Sequence, residues 1–288
     1  MPVRSNGSLT IDYTEDGVGE TVILVHSSVS GNRQWRALVD TLKKRFRLLA
    51  INLFGYGETT PWRGSSLQTL SDQAGLVRTL CEETQGPIHI VGHSFGASVA
   101  AWAAAMLGPR AGRLVLLEPN PFYLLKQHGR TEAYEDARAL RDQVKQFGVT
   151  GDWARAGERF ADYWLGDGSW GSMPEKRRQA FTAGVPPVFH EWDAVMNEET
   201  TIAAWKALEP RTLVVSAAGT RRPIREIVEL LADACPHWTY AQVAEGGHMA
   251  PLTRPELVNP IVQRFLVAPA GAHDPRLRLH AGATHREK

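Results

Sequence analysis

The 288 residues carry 32 basic and 31 acidic side chains, a formal net charge of +1. That balance gives no electrostatic ground for a nucleic-acid or anionic-membrane partner, and neither is expected. A hydrophobic fraction of 43% with 22% charged residues is ordinary for a soluble globular chain long enough to bury its own core. No stretch approaches the roughly 18 consecutive apolar residues of a spanning helix. Met1 to Asp16 lacks the uninterrupted apolar centre of a signal peptide. Cys81 and Cys235, the only cysteines, suit a reducing compartment, with a single disulfide as the open alternative. A cytoplasmic protein is expected.

In chain order, Leu9 to Tyr13 alternates like an edge strand, and Thr21 to His26 is a short β-branched run that predicts a buried strand. A loop, Ser27-Ser28-Val29-Ser30-Gly31, follows. Gln34 to Lys44 has helical spacing, with Trp35, Leu38, Val39 and Leu42 on one face. Arg47 to Leu53 predicts a strand closed by the turn Gly55-Tyr56-Gly57. Leu67 to Glu83 reads as an amphipathic helix, Pro87 to Val91 as a strand, Ala97 to Leu107 as an alanine-rich helix stopped by Gly108-Pro109, and Arg113 to Leu117 as a strand. From Pro119 to about Glu209 strand-like runs disappear, and five of the nine tryptophans fall in helical segments there. Alternation then resumes with a strand over Thr212 to Ser216, a helix over Pro223 to Cys235, a strand over Thr239 to Val243 and a helix over Pro255 to Leu266. This order predicts an α/β fold with a doubly wound, mostly parallel sheet. Its core comprises residues 1–118 and 210–267, with a helical cap inserted over 119–209. Residues 268–288 lack periodicity and are expected to form a flexible tail.

Gly92-His93-Ser94-Phe95-Gly96 matches G-x-S-x-G, and its position directly between a strand and a helix gives the pattern its weight. A sharp strand-to-helix turn strains the serine backbone and tolerates only small residues two positions away. It also sets the serine at a helix N-terminus, where unpaired N–H groups stabilise developing negative charge. The alternative is an inert serine in a glycine-rich turn. A serine nucleophile needs a base that titrates near neutrality. Among ten histidines, His248 lies in the loop Glu245-Gly246-Gly247-His248 after the last strand, which emerges at the same sheet edge as Ser94. His89 lies within a strand and reads as a packing residue. His93 reads as structural.

The elbow, the late Gly-Gly-His loop and the inserted helices together resemble the α/β-hydrolase family over residues 8 to 267. The resemblance implies the chain order nucleophile, acid, histidine. It also implies an oxyanion hole built from the backbone N–H groups of Phe95 and Ser28, although Ser27 stands where the family commonly has glycine. Asn52-Leu53-Phe54-Gly55-Tyr56-Gly57 resembles an architectural D-x-x-G-x-G segment, with Asn52 replacing Asp. The loop that usually bears the acid, Ala217 to Pro223, contains no carboxylate. Glu118, at the end of the strand after the nucleophile's helix, occupies the position used by members resembling haloalkane dehalogenases. The alternatives for Glu118 are a helix cap or an arginine partner, and Asp193 in the cap is the next candidate acid. True dehalogenases use an Asp nucleophile, so Ser94 argues against that chemistry.

The expected function is hydrolysis of a carboxylic ester or related acyl bond of a small apolar or aromatic substrate. Ser94, His248 and Glu118 form the triad, and no cofactor or metal is required. Two alternatives stay open: cleavage of a C–C bond or lactone by the same triad, and a non-catalytic binding protein or receptor on the same fold. Phe122, Tyr123, Phe160, Tyr163, Trp164, Phe181, Phe189 and Trp192 could line an apolar pocket, but most are expected to pack the cap onto the core.

Overall fold

Eight strands form one sheet in the computed structural model, which describes residues 3–269. They are β1 (Val3–Asn6), β2 (Leu9–Asp16), β3 (Glu20–Val25), β4 (Phe46–Ile51), β5 (Ile88–His93), β6 (Ala111–Leu117), β7 (Arg211–Ala217) and β8 (Thr239–Val243). The spatial order is β1-β2-β4-β3-β5-β6-β7-β8. The β1–β2 and β2–β4 pairs are antiparallel, and every pair from β4 to β8 is parallel. The expected edge strand at Leu9–Tyr13 is therefore one position in from the edge. Val3–Asn6, too short and polar to show a pattern, covers it.

The parallel strands are apolar on both faces, and consecutive residues enter opposite cores. Ile23 and Val25 of β3 pack on one side, Val22 and Leu24 on the other; Leu114 and Leu116 of β6 oppose Val115 and Leu117 in the same way. One face is covered by α1 (Arg36–Leu42) and the last helix, Pro255–Val267. The other is covered by α2 (Leu70–Leu80), α3 (Phe95–Leu107) and the helix Arg222–Ala234. The helix expected over Gln34–Lys44 is divided into a 3-10 turn, Asn32–Trp35, and α1.

Between β6 and β7 the chain forms seven helices: α4 (Tyr123–Gln127), α5 (Thr131–Val149), α6 (Trp153–Leu165), α7 (Ser169–Ser172), α8 (Glu175–Ala183), α9 (Val188–Met196) and α10 (Ile202–Lys206). Three helices complete the fold: α11 (Arg222–Ala234), α12 (Ala250–Thr253) and α13 (Pro255–Val267). Aromatic residues attach the inserted helices to the core, as Trp102 of α3 against Trp205 of α10 shows, with ring centroids 5.7 Å apart. The Trp205 indole N–H also donates to the Tyr123 hydroxyl at 2.8 Å. Cys81 and Cys235 are both free and buried. Among the described residues no helix is long and apolar enough to cross a membrane. Of the expected tail, residues 270–288 lie outside the described residues.

Candidate active site

The sheet brings three chain-distant side chains to the carboxyl ends of its central strands. Ser94 leaves β5 with φ 54° and ψ −119°. Its N–H donates to Leu117 O at 2.8 Å, so the β5–β6 ladder runs into the turn. Both flanking glycines are obligatory on steric grounds. A Cβ on Gly92 would lie 2.2 Å from Gly96 O, and one on Gly96 would lie 2.2 Å from Val25 O. Glu118 ends β6 with φ 50°, and its N–H donates to Val215 O at 2.8 Å. Val29 (φ 68°), Ser94 and Glu118 are the three non-glycine residues with positive φ among the described residues, and all three lie at this edge. Such strain persists only where the surroundings over-determine it, and it gathers at functional sites.

His248 joins the other two. Its Nε2 lies 2.7 Å from Ser94 Oγ and its Nδ1 lies 3.2 Å from Glu118 Oε2. All three residues are buried, with 5% exposure for Ser94, 1% for Glu118 and 3% for His248. The carboxylate-free loop after β7 supplies donors to Glu118 in place of an acid: Ala217 N–H reaches Oε1 at 2.5 Å and the Thr220 hydroxyl bonds Oε2. Among the described residues Glu118 neither caps a helix nor meets an arginine. Asp193 is committed elsewhere, accepting from Lys145 Nζ at 2.7 Å. Glu226 pairs with Arg222 at 2.7 Å.

A second set of hydrogen bonds fixes the loops. His93 Nε2 donates to the His248 carbonyl at 2.9 Å, so its Nδ1 must accept from Gln34 Nε2, 3.1 Å away. Burial pushes the His93 imidazole down to about 3, which keeps it neutral for this role. Gln34 Oε1 in turn accepts from the Ser27 N–H at 3.0 Å and the Ser27 hydroxyl at 2.8 Å. Serine in place of the family's glycine at position 27 thus has a partner. Asn52 is architectural: its Oδ1 accepts from Asn32 N–H at 2.7 Å, and its Nδ2 donates to Asp12 at 2.8 Å. Ser28 and Phe95 line the cavity beside Ser94, and their backbone N–H groups have no acceptor among the described residues.

The sequence matches the model of the alpha/beta hydrolase family over residues 22–261. The chain belongs to that family. A relative, the (E)-2-((N-methylformamido)methylene)succinate hydrolase of Acinetobacter baylyi, is 23% identical over 92% of this chain and 97% of its own length. Among solved structures, a thermophilic esterase from Thermogutta terrifontis superposes with a TM-score of 0.72 at 23% identity, covering 90% of this hydrolase and 93% of the esterase. The enol-lactonase of Burkholderia xenovorans reaches a TM-score of 0.72 at 16% identity, covering 92% and 99%.

Above Ser94 this hydrolase has a small, narrow cavity lined mainly by apolar side chains, among them Phe95, Phe160, Trp164, Val188, Trp192 and Val195. A larger groove shares Ser28, Phe160 and Trp164 with it and runs along Met249 and Leu252, just after His248. Of the eight aromatic candidates, Phe160, Trp164 and Trp192 line the cavity; Phe181 lines only the groove. Trp164 also covers His248, ring centroids 4.0 Å apart. The sequence reading missed Glu191. This α9 residue is 2% exposed and lines the cavity beside Ser94. It accepts from the Tyr56 hydroxyl at 2.8 Å and from the Ser28 hydroxyl. Desolvation raises its carboxyl to about 7. One signal was present: Glu191 lies among Val188, Trp192 and Val195 at helical spacing, a carboxylate on an apolar face.

Proposed function

We propose that this hydrolase cleaves carboxylic esters or related acyl compounds through a Ser94–His248–Glu118 triad. The observation that carries the proposal is His248 bridging the other two, 2.7 Å from the Ser94 hydroxyl and 3.2 Å from the Glu118 carboxylate. Ser94 Oγ attacks the carbonyl carbon and its proton passes to His248 Nε2. Glu118 holds Nδ1 protonated and stabilises the imidazolium that forms. The electron pair displaced onto the carbonyl oxygen is met by the amides of Ser28 and Phe95, the proposed oxyanion hole. Collapse expels the leaving oxygen, which takes the proton from Nε2, and water activated by His248 then releases the acid from Ser94. The helices of residues 119–209 act as the cap over this chemistry, and the mainly apolar lining of the cavity beneath them suits a small apolar acyl group.

The relatives are named for different bonds, so the ester reading rests on the site and not on them. Turnover of p-nitrophenyl butyrate, together with covalent labelling by a fluorophosphonate, is the test. The parent chain should do both. Ser94→Ala should lose labelling entirely and reduce kcat by about 10⁴-fold or more. Equal turnover by the two proteins would remove Ser94 from the mechanism.

A further inference from the structure

The cavity beside Ser94 contains a carboxyl group that the triad does not use. Glu191 enters it from α9, while the two hydroxyls bonded to it come from loops of the core: Ser28 after β3 and Tyr56 after β4. Tyr56 also accepts the Val29 N–H at 2.9 Å, so Glu191 is anchored to the same loop that bears the Ser28 amide. Among the described residues no lysine or arginine lines the cavity. Lys145 of α5 is paired with Asp193 of α9 at 2.7 Å. The facing helix α3 contains no titratable residue at all. Among the described residues Glu191 thus has hydroxyl donors but no cationic partner, and it lines the same cavity as Ser94.

We infer that Glu191 is a specificity-determining residue that makes the acyl cavity reject acyl groups bearing a carboxylate, so that the substrate contributes a small uncharged acyl group. The inference rests on the acyl-hydrolase reading of this cavity. A second carboxylate about 6 Å from Glu191, at an effective dielectric near 20, is disfavoured by roughly a hundredfold in binding. An apolar chain of the same length meets no such opposition and gains contact with Phe160, Trp164 and Val195. A neutral acyl group with a hydrogen-bond donor near its end would find Glu191 as acceptor. Asn120, whose Oδ1 is already engaged by the Ser98 hydroxyl at 3.0 Å, adds polarity to the cavity wall without adding charge.

Equilibrium binding tests this without requiring turnover, so a failure of the Ser94 mechanism is seen separately in the labelling experiment. Butyramide and succinamate, which match in length and differ by a carboxylate, are titrated calorimetrically at pH 8.5 into the parent and Glu191→Gln. The parent should bind butyramide at least tenfold more tightly than succinamate. In Glu191→Gln that ratio should fall by at least fivefold, chiefly through tighter succinamate binding. Equal affinities for the two amides in the parent, or a ratio unchanged by Glu191→Gln, would overturn the inference. Binding of neither amide by the parent would overturn it too, since the cavity would then receive no acyl group of this size. Should Glu191→Gln fail to fold, the parent ratio still decides.

Discussion

Glu118 holds three groups from three different segments with two oxygens. Its Oε1 accepts a backbone N–H, and its Oε2 accepts the Thr220 hydroxyl and lies against His248 Nδ1. A carboxylate satisfies all three because it only accepts. Glu118→Gln must present an amide N–H₂ either to the Ala217 N–H or to His248, which would reverse the imidazole tautomer. The expected loss in kcat is about 10³–10⁴-fold with the fold intact, read from ester turnover alongside circular dichroism. Ser94, Glu118 and His248 were legible in the sequence because each ends a strand or follows one, and strand ends converge in a parallel sheet. Glu191 was not, because its partners Ser28 and Tyr56 lie more than a hundred residues away and no local spacing encodes that meeting. His93 was legible only as structural; its link through Gln34 to Ser27 required the turn and the base loop to be seen together.

At the scale of elements, glycine has opposite meanings in neighbouring helices. Gly96 opens α3, where an added Cβ would stand 2.2 Å from Val25 O and 2.4 Å from His26 O, both rigid backbone. Gly75, inside α2, has nothing within 4 Å of its added Cβ. Gly96→Ala should therefore destabilise the protein by about 2 kcal/mol or more, forcing α3 away from β3. Gly75→Ala should stabilise it by about 0.5–1 kcal/mol through helix propensity alone. Urea unfolding of both variants checks the pair, and equal signs would contradict it. The strands and helices of the core were legible because their two periodicities are distinct. The ends were less so: α3 begins at Phe95, two residues before the alanine run that announces it, because Phe95 and Gly96 complete the elbow. Val3–Asn6 pairs with β2 through backbone hydrogen bonds, and its side chains carry no alternation to read.

For the whole molecule, buried titratable groups set opposite limits on stability. Burial lowers His26 to about 4 and His93 to about 3, both from an ordinary 6.5. Their neutral forms contribute stability that is present above pH 6.5 and is lost as pH falls through 4 to 3. Glu191 has the reverse sign, raised from 4.5 to about 7. Its contribution is complete below pH 4.5 and is lost as pH rises through 7, reaching a penalty of about 3 kcal/mol on the alkaline side. Unfolding free energies measured across pH should therefore show Glu191→Gln more stable than the parent at pH 8 and within about 1 kcal/mol of it at pH 5. A gain independent of pH would mean that the charge is not what burial opposes.

Trp164 extends from α6 to lie over His248, its indole centroid 4.0 Å from that of the imidazole. An imidazolium quenches an excited indole efficiently, whereas neutral imidazole does so weakly. The covering side chain is therefore an optical gauge of the base: emission from Trp164 should dim when His248 gains a proton and recover when it gives the proton up. The proton transfer at the centre of the proposed reaction is thus open to observation by light without a reporter substrate, as the part of the nine-tryptophan emission that Trp164→Phe removes.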